Sequence, residues 1–266
     1  MVNKDKDYYE TYSKKNPTTR SPTGEFFKKL IYQNLLGKKS DLNSSNKLFI
    51  DFGCGMGNMS GNLVNFGKVT GIDLNENDLA IARKRYLGYN AYRGDIRKSK
   101  LPFNKYNVAL CSQVLEHVPG YEDVVKEISR VTKKGSRVVI SIPNDLNPII
   151  FLYDRFREMN FIRRLLGLKL RGKNEFPDHI NRFNIFKIKK ILKKHNLKVK
   201  RVTNYCFLMP VVARLIKNVF PGAYKSNIFY AFIKFFLYLD FLISQLDFLH
   251  IFPQDWVILA KNTKPK

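Results

Sequence analysis

Short apolar runs alternate with longer amphipathic stretches between residues 47 and 143. Such alternation is typical of βαβ units and predicts an α/β fold with a doubly wound, Rossmann-like sheet. Apolar residues at helical spacing, clearest in residues 124–131, predict helices that each bury one face. The predicted strands are 48–52, 69–74, 91–93, 107–112 and 137–142, and the predicted helices are 58–65, 76–87 and 122–132.

The same rules extend the sheet beyond residue 144. A helix over 183–195, followed by strands over 198–203 and 255–260, predicts a seven-stranded sheet that is mostly parallel, with an antiparallel last strand and an antiparallel edge. Because no Gly/Ser-rich linker interrupts the chain, residues 47–266 are expected to form one domain. A helical lead-in precedes it and two helical elaborations belong to it. These three segments are 1–46, 144–182 and 205–252.

The segment 228–251 is rich in Phe, Leu and Ile, but charged residues interrupt it. It therefore falls short of the roughly 18 uncharged apolar residues of a membrane-spanning helix. As a helix it has one apolar face, which either covers the sheet or lies in a membrane interface. That face comprises Phe232, Phe235, Phe236, Leu239, Leu242, Ile243 and Leu246, and the opposite face comprises Tyr230, Lys234, Tyr238 and Gln245.

The chain is strongly basic, although its 44% hydrophobic residues are ordinary and exclude a wholly disordered protein. Its 47 Lys and Arg residues outnumber 22 Asp and Glu residues, so the net charge is +25. This balance indicates an anionic partner such as nucleic acid, a phospholipid surface or a phosphorylated substrate, or else lysines spread over a solvated surface. Five lysines of one predicted helix are candidates for anionic-lipid or phosphate contact. They are Lys187, Lys189, Lys190, Lys193 and Lys194.

Cysteine usage and the amino terminus bear on the compartment. Cys54, Cys111 and Cys206 are odd in number and widely spaced, which favours neither a disulfide framework nor a zinc site. A reducing compartment follows. The first residues are polar and include acids, unlike a secretory signal. We therefore expect a cytoplasmic protein, either free or peripheral on the inner face of the membrane.

The most specific motif is the loop Asp51-Phe-Gly53-Cys-Gly55-Met-Gly57, which follows a predicted strand and precedes a predicted helix. Glycines there let the backbone turn tightly and let a ligand press against main chain without a Cβ. The spacing is GxGxG and not the dinucleotide pattern GxGxxG, and no P-loop Lys follows. The alternative is an ordinary tight βα turn.

Two further acids follow the next strands. Asp73 stands at the end of the second predicted strand, where open α/β sheets place a carboxylate that accepts both hydroxyls of a ribose. Asp95 follows the third strand and is suited either to an adenine edge or to a turn or helix cap. All three acids lie at carboxyl ends of neighbouring strands, so they are expected in one crevice.

With these residues the chain resembles the class I S-adenosylmethionine-dependent methyltransferases of small molecules. The resemblance is strong over about residues 47–145 and weaker over 175–204. It implies S-adenosylmethionine as cofactor, with its methionine part at the loop, its ribose at Asp73 and its adenine at Asp95. The cofactor-binding residues implied are Asp51, Gly53, Cys54, Gly55, Gly57, Asp73, Leu74, Asp95, Ile96 and Ser112.

The segment after the fourth strand, Ser-Gln-Val-Leu-Glu-His-Val over residues 112–118, resembles the S-E-V-L-E-H-V segment of ubiquinone-biosynthesis O-methyltransferases. In that family two acids and the His are associated with a divalent metal. Here Gln113 replaces the first acid, and an amide is a weaker ligand for a hard cation. We therefore expect no metal, and assign Gln113, Glu116 and His117 to the acceptor side. Glu116 and His117 are also suited to a polar helix start.

His179 precedes the predicted helix over 183–195, where similar methyltransferases carry a segment that closes over the acceptor. Because imidazole titrates near neutral pH, His179 and His117 are candidate catalytic bases for an acceptor hydroxyl. The competing interpretation of this segment is a helix start with Asn184 at the N-cap.

The leading function is methyl transfer from S-adenosylmethionine to an oxygen of an apolar or lipid-linked small molecule. A sulfonium methyl is already activated, so positioning can supply most of the rate. An RNA methyltransferase fits the charge, but residues 111–114 do not have the NPPY-like pattern of amino-methylating nucleic-acid enzymes. A catalytically silent binding module is the third candidate. The oligomeric state is left open.

Overall fold

The computed structural model describes residues 22–36, 47–144, 147, 179–205, 212, 227–246 and 252–265. The strands in these residues are β1 (Lys47–Phe52), β2 (Gly67–Asp73), β3 (Tyr89–Arg93), β4 (Tyr106–Ser112), β5 (Thr132–Pro143), β6 (Leu197–Tyr205) and β7 (Asp255–Asn262). The α-helices are α1 (Pro22–Leu36), α2 (Glu76–Arg85), α3 (Tyr121–Val131), α4 (Ile185–Lys194) and α5 (Asn227–Ser244). Two short 3₁₀ helices cover Gly61–Asn65 and Leu115–His117.

The strands form one seven-stranded sheet in the order β3-β2-β1-β4-β5-β7-β6. The neighbouring pairs from β3 to β5 are parallel, and β7 is antiparallel to both β5 and β6. The predicted seven-stranded sheet with an antiparallel last strand is confirmed, and the strand pair at the β6 edge is antiparallel. Strand β7 lies inside the sheet and its residues 256–258 are all buried, whereas the edge strand β6 exposes Lys198, Lys200 and Arg201.

Helices cover both faces of the sheet. On one face α3 and α4 pack, and the apolar stripe predicted for residues 124–131 is fully buried there. On the other face α1 and α5 pack over side chains of β1, β5 and β7, including Phe49, Val139 and Val257. The strand order reverses between β1 and β4, so their carboxyl ends open the crevice in which such sheets bind ligands.

Helix α5 does not cover the sheet with the apolar face that the sequence indicates, but with a narrower, neighbouring face. Its buried side chains are Ile233, Leu237, Asp240 and Ser244, at spacings of four, three and four residues. The apolar face identified in the sequence is mostly exposed, with Phe235 at 63% and Leu242 at 48%. Among the described residues, no helix combines the length and apolar character needed to cross a bilayer.

Two other predicted segments differ from the structure or lie partly outside it. The predicted helix 58–65 is only a 3₁₀ helix over Gly61–Asn65, because Gly and Asn are weak helix formers. Within the predicted lead-in 1–46 the structure describes α1 alone, and most of 144–182 lies outside the described residues. The same holds for 206–226, apart from Val212.

Candidate functional site

The glycine loop leaves β1 in a conformation that few other residues adopt. Gly53 and Gly55 have φ angles of +70° and +47°, in the left-handed region that favours glycine. The Gly53 amide donates to the carbonyl of Ile72 over 2.8 Å, which fixes the loop over the end of β2. A Cβ on Gly55 would meet only Asp78 Oδ2, at 3.9 Å, so the space above this backbone is open to a ligand.

Gly53 also brings the loop against the segment that follows β4. A Cβ on Gly53 would lie 2.5 Å from Cγ2 of Val114, closer than atoms can approach. Only glycine therefore fits at this contact. The contact places the loop directly beside the residues that lead to Glu116 and His117.

Asp73 ends β2 and is held by the loop. Its Oδ2 accepts from the Gly55 amide over 2.8 Å, and its Oδ1 accepts from the Asn75 amide over 2.9 Å. Burial raises the pKa of Asp73, and these amide hydrogen bonds offset part of the rise. A carboxylate has about four acceptor sites, so this one can still accept from a ligand hydroxyl.

Asp51 lies beneath the loop and is 3% exposed. It accepts a hydrogen bond from Ser60, whose hydroxyl lies 2.6 Å from that of Tyr89. Burial raises the pKa of Asp51 to about 7, and the charge of Asp73 adds to the rise. A buried carboxyl group with such a pKa readily responds to a nearby cation.

The other residues assigned to the cofactor occupy different environments. Asp95 is held by Arg97, whose Nη2 donates to Oδ2 over 2.8 Å, and this hydrogen bonding lowers the pKa of Asp95. Leu74 is 39% exposed beside Asp73, whereas Cys54 and Ile96 are buried. Ser112 and Ser141 share a hydrogen bond of 2.8 Å between their hydroxyls. Gly57 has a φ of +72°, like the other loop glycines.

Gln113 turns toward β7. Its backbone has a φ of +56°, and its Nε2 donates to Asp255 Oδ1 over 3.1 Å. The side chain at the position of the family's first metal-binding acid is thus hydrogen-bonded across the sheet. In this chain that position does not fit a metal ligand, because the side chain is an amide and not a carboxylate, and because it is bonded to Asp255.

Glu116, His117 and His179 converge beside the crevice, just after the carboxyl end of β4. Glu116 is fully buried, and its Oε1 lies 3.8 Å from Nε2 of His117. The rings of His117 and His179 meet edge to face with centroids 5.0 Å apart. One potential ligand atom from each of the three residues lies within 4.8 Å of the others, a geometry that suits proton transfer or a cation.

Asn181 brings His179 to this position. Its Nδ2 donates to the carbonyls of Leu115 and Val118, each over 2.8 Å. Its backbone amide donates to the Glu116 carbonyl over 3.1 Å. Asn184 caps α4 by accepting from the Lys187 amide over 2.7 Å, so the predicted N-cap is confirmed and the segment that carries His179 also serves as a helix start.

Sequence reasoning missed Ser60, Tyr89 and Asn181. Ser60 and Tyr89 support Asp51 from a 3₁₀ region and from β3, and nothing in their local sequence indicates this. Asn181 lies between His179 and Phe183, in a stretch already considered for the acceptor. A polar residue there that precedes a helix could have been considered as a bridge to the segment after β4.

Comparison with known proteins agrees with this geometry. Residues 50–140 match a family model described as a methyltransferase domain. The ubiquinone biosynthesis O-methyltransferase of Nitrosomonas europaea is 35% identical over 143 residues, which cover 51% of this chain and 58% of that protein. The chain spans about half the length of the curated relatives it matches first.

Solved structures share the fold at low identity. A methyltransferase from Archaeoglobus fulgidus that depends on S-adenosylmethionine superposes with a TM-score of 0.58, at 18% identity, over 96% of this chain and 99% of that chain. The [4+2]-cyclase SpnF superposes with a TM-score of 0.57, at 15% identity, over 90% and 82%. These likenesses concern the fold alone. Residues 50–140 therefore resemble a methyltransferase domain in sequence, and the chain has the fold of the class I S-adenosylmethionine-dependent methyltransferases.

Proposed function

We propose that this protein transfers a methyl group from S-adenosylmethionine to an oxygen of a small, apolar or lipid-linked acceptor. The observation that carries the proposal is the contact of Gly53 with Val114, where a Cβ would lie 2.5 Å from Cγ2. It joins the open glycine loop to the segment that carries Glu116 and His117. A donor held over the loop would therefore lie beside the segment that carries His117, whose ring meets that of His179.

The chain's own groups match the parts of this cofactor. The bare backbone at Gly55 allows the methionine part to approach closely. Asp73, already oriented by two amides, accepts from the ribose hydroxyls. Leu74 is exposed beside it and offers an apolar surface to the adenine. When bound, S-adenosylmethionine supplies a methyl group that its sulfonium has activated.

On the acceptor side, His117 and His179 hold the proton that an acceptor hydroxyl gives up. The buried carboxylate of Glu116 lies 3.8 Å from His117 Nε2 and stabilises the protonated ring. Asn181 keeps both rings together through its three hydrogen bonds. Positioning of the acceptor and exclusion of water supply the rest of the rate.

Two observations support an apolar or lipid-linked acceptor. The relatives are named for O-methylation in ubiquinone biosynthesis, which is a statement about those proteins. In this chain, Asn204 Nδ2 donates to the Ser244 carbonyl at the carboxyl end of β6, next to the Tyr205–Asp255 pair. Because Asp255 accepts from Gln113, the end of the apolar helix α5 lies at the acceptor side of the crevice.

The donor half is tested by calorimetric titration with S-adenosylmethionine. Asp73→Ala is expected to weaken binding by about ten- to a hundredfold, because it removes charge-assisted hydrogen bonds. Glu122→Ala is the matched control, since Glu122 pairs with Lys194 on the protein surface. Equal affinities for both variants would contradict the assigned cofactor site.

The acceptor half is tested with methyl-labelled cofactor, a lipid extract and total RNA. We expect label in lipid and not in RNA. His117→Ala should lower turnover by about a hundredfold with little change in cofactor affinity, because a general base contributes about that factor. Transfer should persist in EDTA. Loss of transfer in EDTA and its recovery with magnesium would instead assign Glu116, His117 and His179 to a cation.

A further inference from the structure

A cationic cleft lies beside α5, on the face of the sheet that α1 and α5 cover. The cleft has a volume of about 670 Å³. Among the described residues that line it, none is Asp or Glu. Three cations come from β5 and β6, and apolar side chains form its walls. The cations are Arg137, Lys200 and Arg201, and the apolar residues are Leu30, Phe241 and Leu259.

Hydrogen bonds to α1 position two of these cations. Arg201 Nη2 donates to Asn34 Oδ1 over 2.8 Å, and Asn34 is itself 3% exposed. Arg137 Nη1 donates to the Leu36 carbonyl over 2.9 Å. Arg201 lies at a register shift between β6 and β7, and both it and Lys200 are exposed. A guanidinium has five donors, so the exposed Arg201 remains able to bind a phosphate oxygen.

The apolar stripe of α5 adjoins this cleft. We define the stripe as Phe232, Phe235, Tyr238, Leu239, Leu242, Ile243 and Leu246, each 44% exposed or more. These are seven of the thirteen large apolar side chains that are exposed among the described residues. The cleft is lined by Phe241 and Gln245, which lie three residues after Tyr238 and Leu242 of the stripe, so the apolar and cationic surfaces adjoin on the helix. The stripe is about 21 Å long at 1.5 Å per residue.

An anionic phospholipid surface fits this combination best. Leu and Ile side chains lose contact with water when they are buried among acyl chains, which favours binding, and neighbouring cations attract lipid phosphates. Nucleic acid would use the cations but would leave the aliphatic side chains exposed. A second copy would cover the apolar stripe but would bring one cationic cleft near another, which charge complementarity disfavours.

We propose that the apolar stripe of α5 and the cationic cleft together form a docking surface for an anionic phospholipid bilayer. The stripe lies in the interface, parallel to the bilayer plane, and the cleft holds a lipid phosphate. The cationic cleft shares no lining residue with the crevice, although the carboxyl end of α5 approaches it, and docking does not require methyl transfer. Either activity can therefore fail in an experiment without the other.

The test is flotation of the full chain at low salt with phosphatidylcholine vesicles, with and without a one-third share of phosphatidylglycerol. The protein should float with the anionic vesicles. Lys200→Gln should lower partition roughly fivefold, and Lys200→Gln with Arg201→Gln about twenty-five-fold, at about one fivefold factor per charge. Replacing Leu239, Leu242 and Leu246 by Gln should lower it at least about tenfold.

Matched controls lie elsewhere on the surface. Lys189→Gln with Lys190→Gln removes two charges from α4, on the opposite face of the sheet, and Leu87→Gln removes an apolar side chain that is 95% exposed. Both should leave flotation unchanged, and all variants should keep the parent melting temperature. Failure of the parent to float, or equal losses in the α4 variant, would overturn the proposal. So would a dimer or an RNA complex that the same variants abolish, without vesicle binding.

Discussion

Helices α4 and α5 both combine apolar and charged residues, yet they present opposite surfaces to solvent. In α4, Ile188 and Leu192 are fully buried while lysines point outward. In α5, Ile233 and Leu237 are buried, but the larger apolar stripe is exposed. Apolar periodicity therefore identifies the hydrophobic face of a helix without identifying what covers that face.

The means of attachment explain the difference. Helix α4 is held by apolar contacts in the core cluster that it shares with α3. Helix α5 is also held by polar contacts at its carboxyl end, where Gln245 Nε2 donates to the Asn204 carbonyl over 2.8 Å. Asp240 and Ser244 are buried on the same side. A helix anchored by a narrow face of this kind can leave its apolar stripe for another partner.

The largest effect that we expect comes from matched Leu→Ala substitutions in the two helices. Leu192→Ala should lower the free energy of unfolding by about 2–5 kcal/mol, because it opens a cavity in the core. Leu242→Ala should change it by less than about 0.5 kcal/mol, because that side chain is 48% exposed. Urea unfolding followed by circular dichroism measures both values. Similar losses in the two variants would show that α5 buries its stripe in solution.

Local rules predicted much of the α3 and α4 side from the sequence. The stripe at residues 124–131 and the N-cap at Asn184 depend on neighbours three or four residues away, and the structure has both. The position of β7 between β5 and β6 could not be predicted, because strand order depends on pairing between distant segments. The lysines of α4 were the expected basic surface, but the cationic cleft joins α1, β5 and β6, which no local pattern connects.

The candidate site divides in the same way. The glycine loop and Asp73 could be recognised because strand, loop and acid follow each other at a characteristic spacing. The meeting of His117 with His179 could not, since it depends on hydrogen bonds from Asn181 to Leu115 and Val118. The turn of Gln113 toward Asp255 is likewise a contact between distant segments.

The second prediction concerns Asp51, a carboxyl group buried on the face of the sheet that α1 and α5 cover. Asp51 has a pKa of about 7 in the folded protein, against an ordinary value of 3.8. Between these values the folded state holds a proton that the unfolded chain releases, so stability falls as pH rises from about 4 to 7. Asp51→Asn should flatten this fall and stabilise the protein at pH 8 by up to about 4 kcal/mol. Melting curves across this pH range measure it.

Asp123→Asn provides the comparison for Asp51→Asn, because Asp123 lies at the start of α3 on the opposite face of the sheet. It should leave the pH profile unchanged. If S-adenosylmethionine places its positive charge near Asp51, binding should also release protons near pH 7 in the parent. Calorimetry in buffers of different ionisation enthalpy detects this release. A parent protein whose melting temperature rises from pH 4 to 7 would contradict the raised pKa of Asp51.

The smallest effect concerns Lys264, which hydrogen-bonds to carbonyls at the carboxyl end of α3. Lys264 Nζ donates to the carbonyls of Ser129 and Arg130, each over 3.0 Å, in the last turn of α3. Lys264→Met should lower the free energy of unfolding by about 1 kcal/mol, because part of the gain from these bonds is offset by burial of the charge. Lys261→Met should have no effect, because Lys261 is an exposed side chain near the end of β7. Lys264 lies against α3, on the face of the sheet opposite α5. Its replacement should therefore leave vesicle flotation unchanged, so that a loss of stability can be distinguished from a loss of docking.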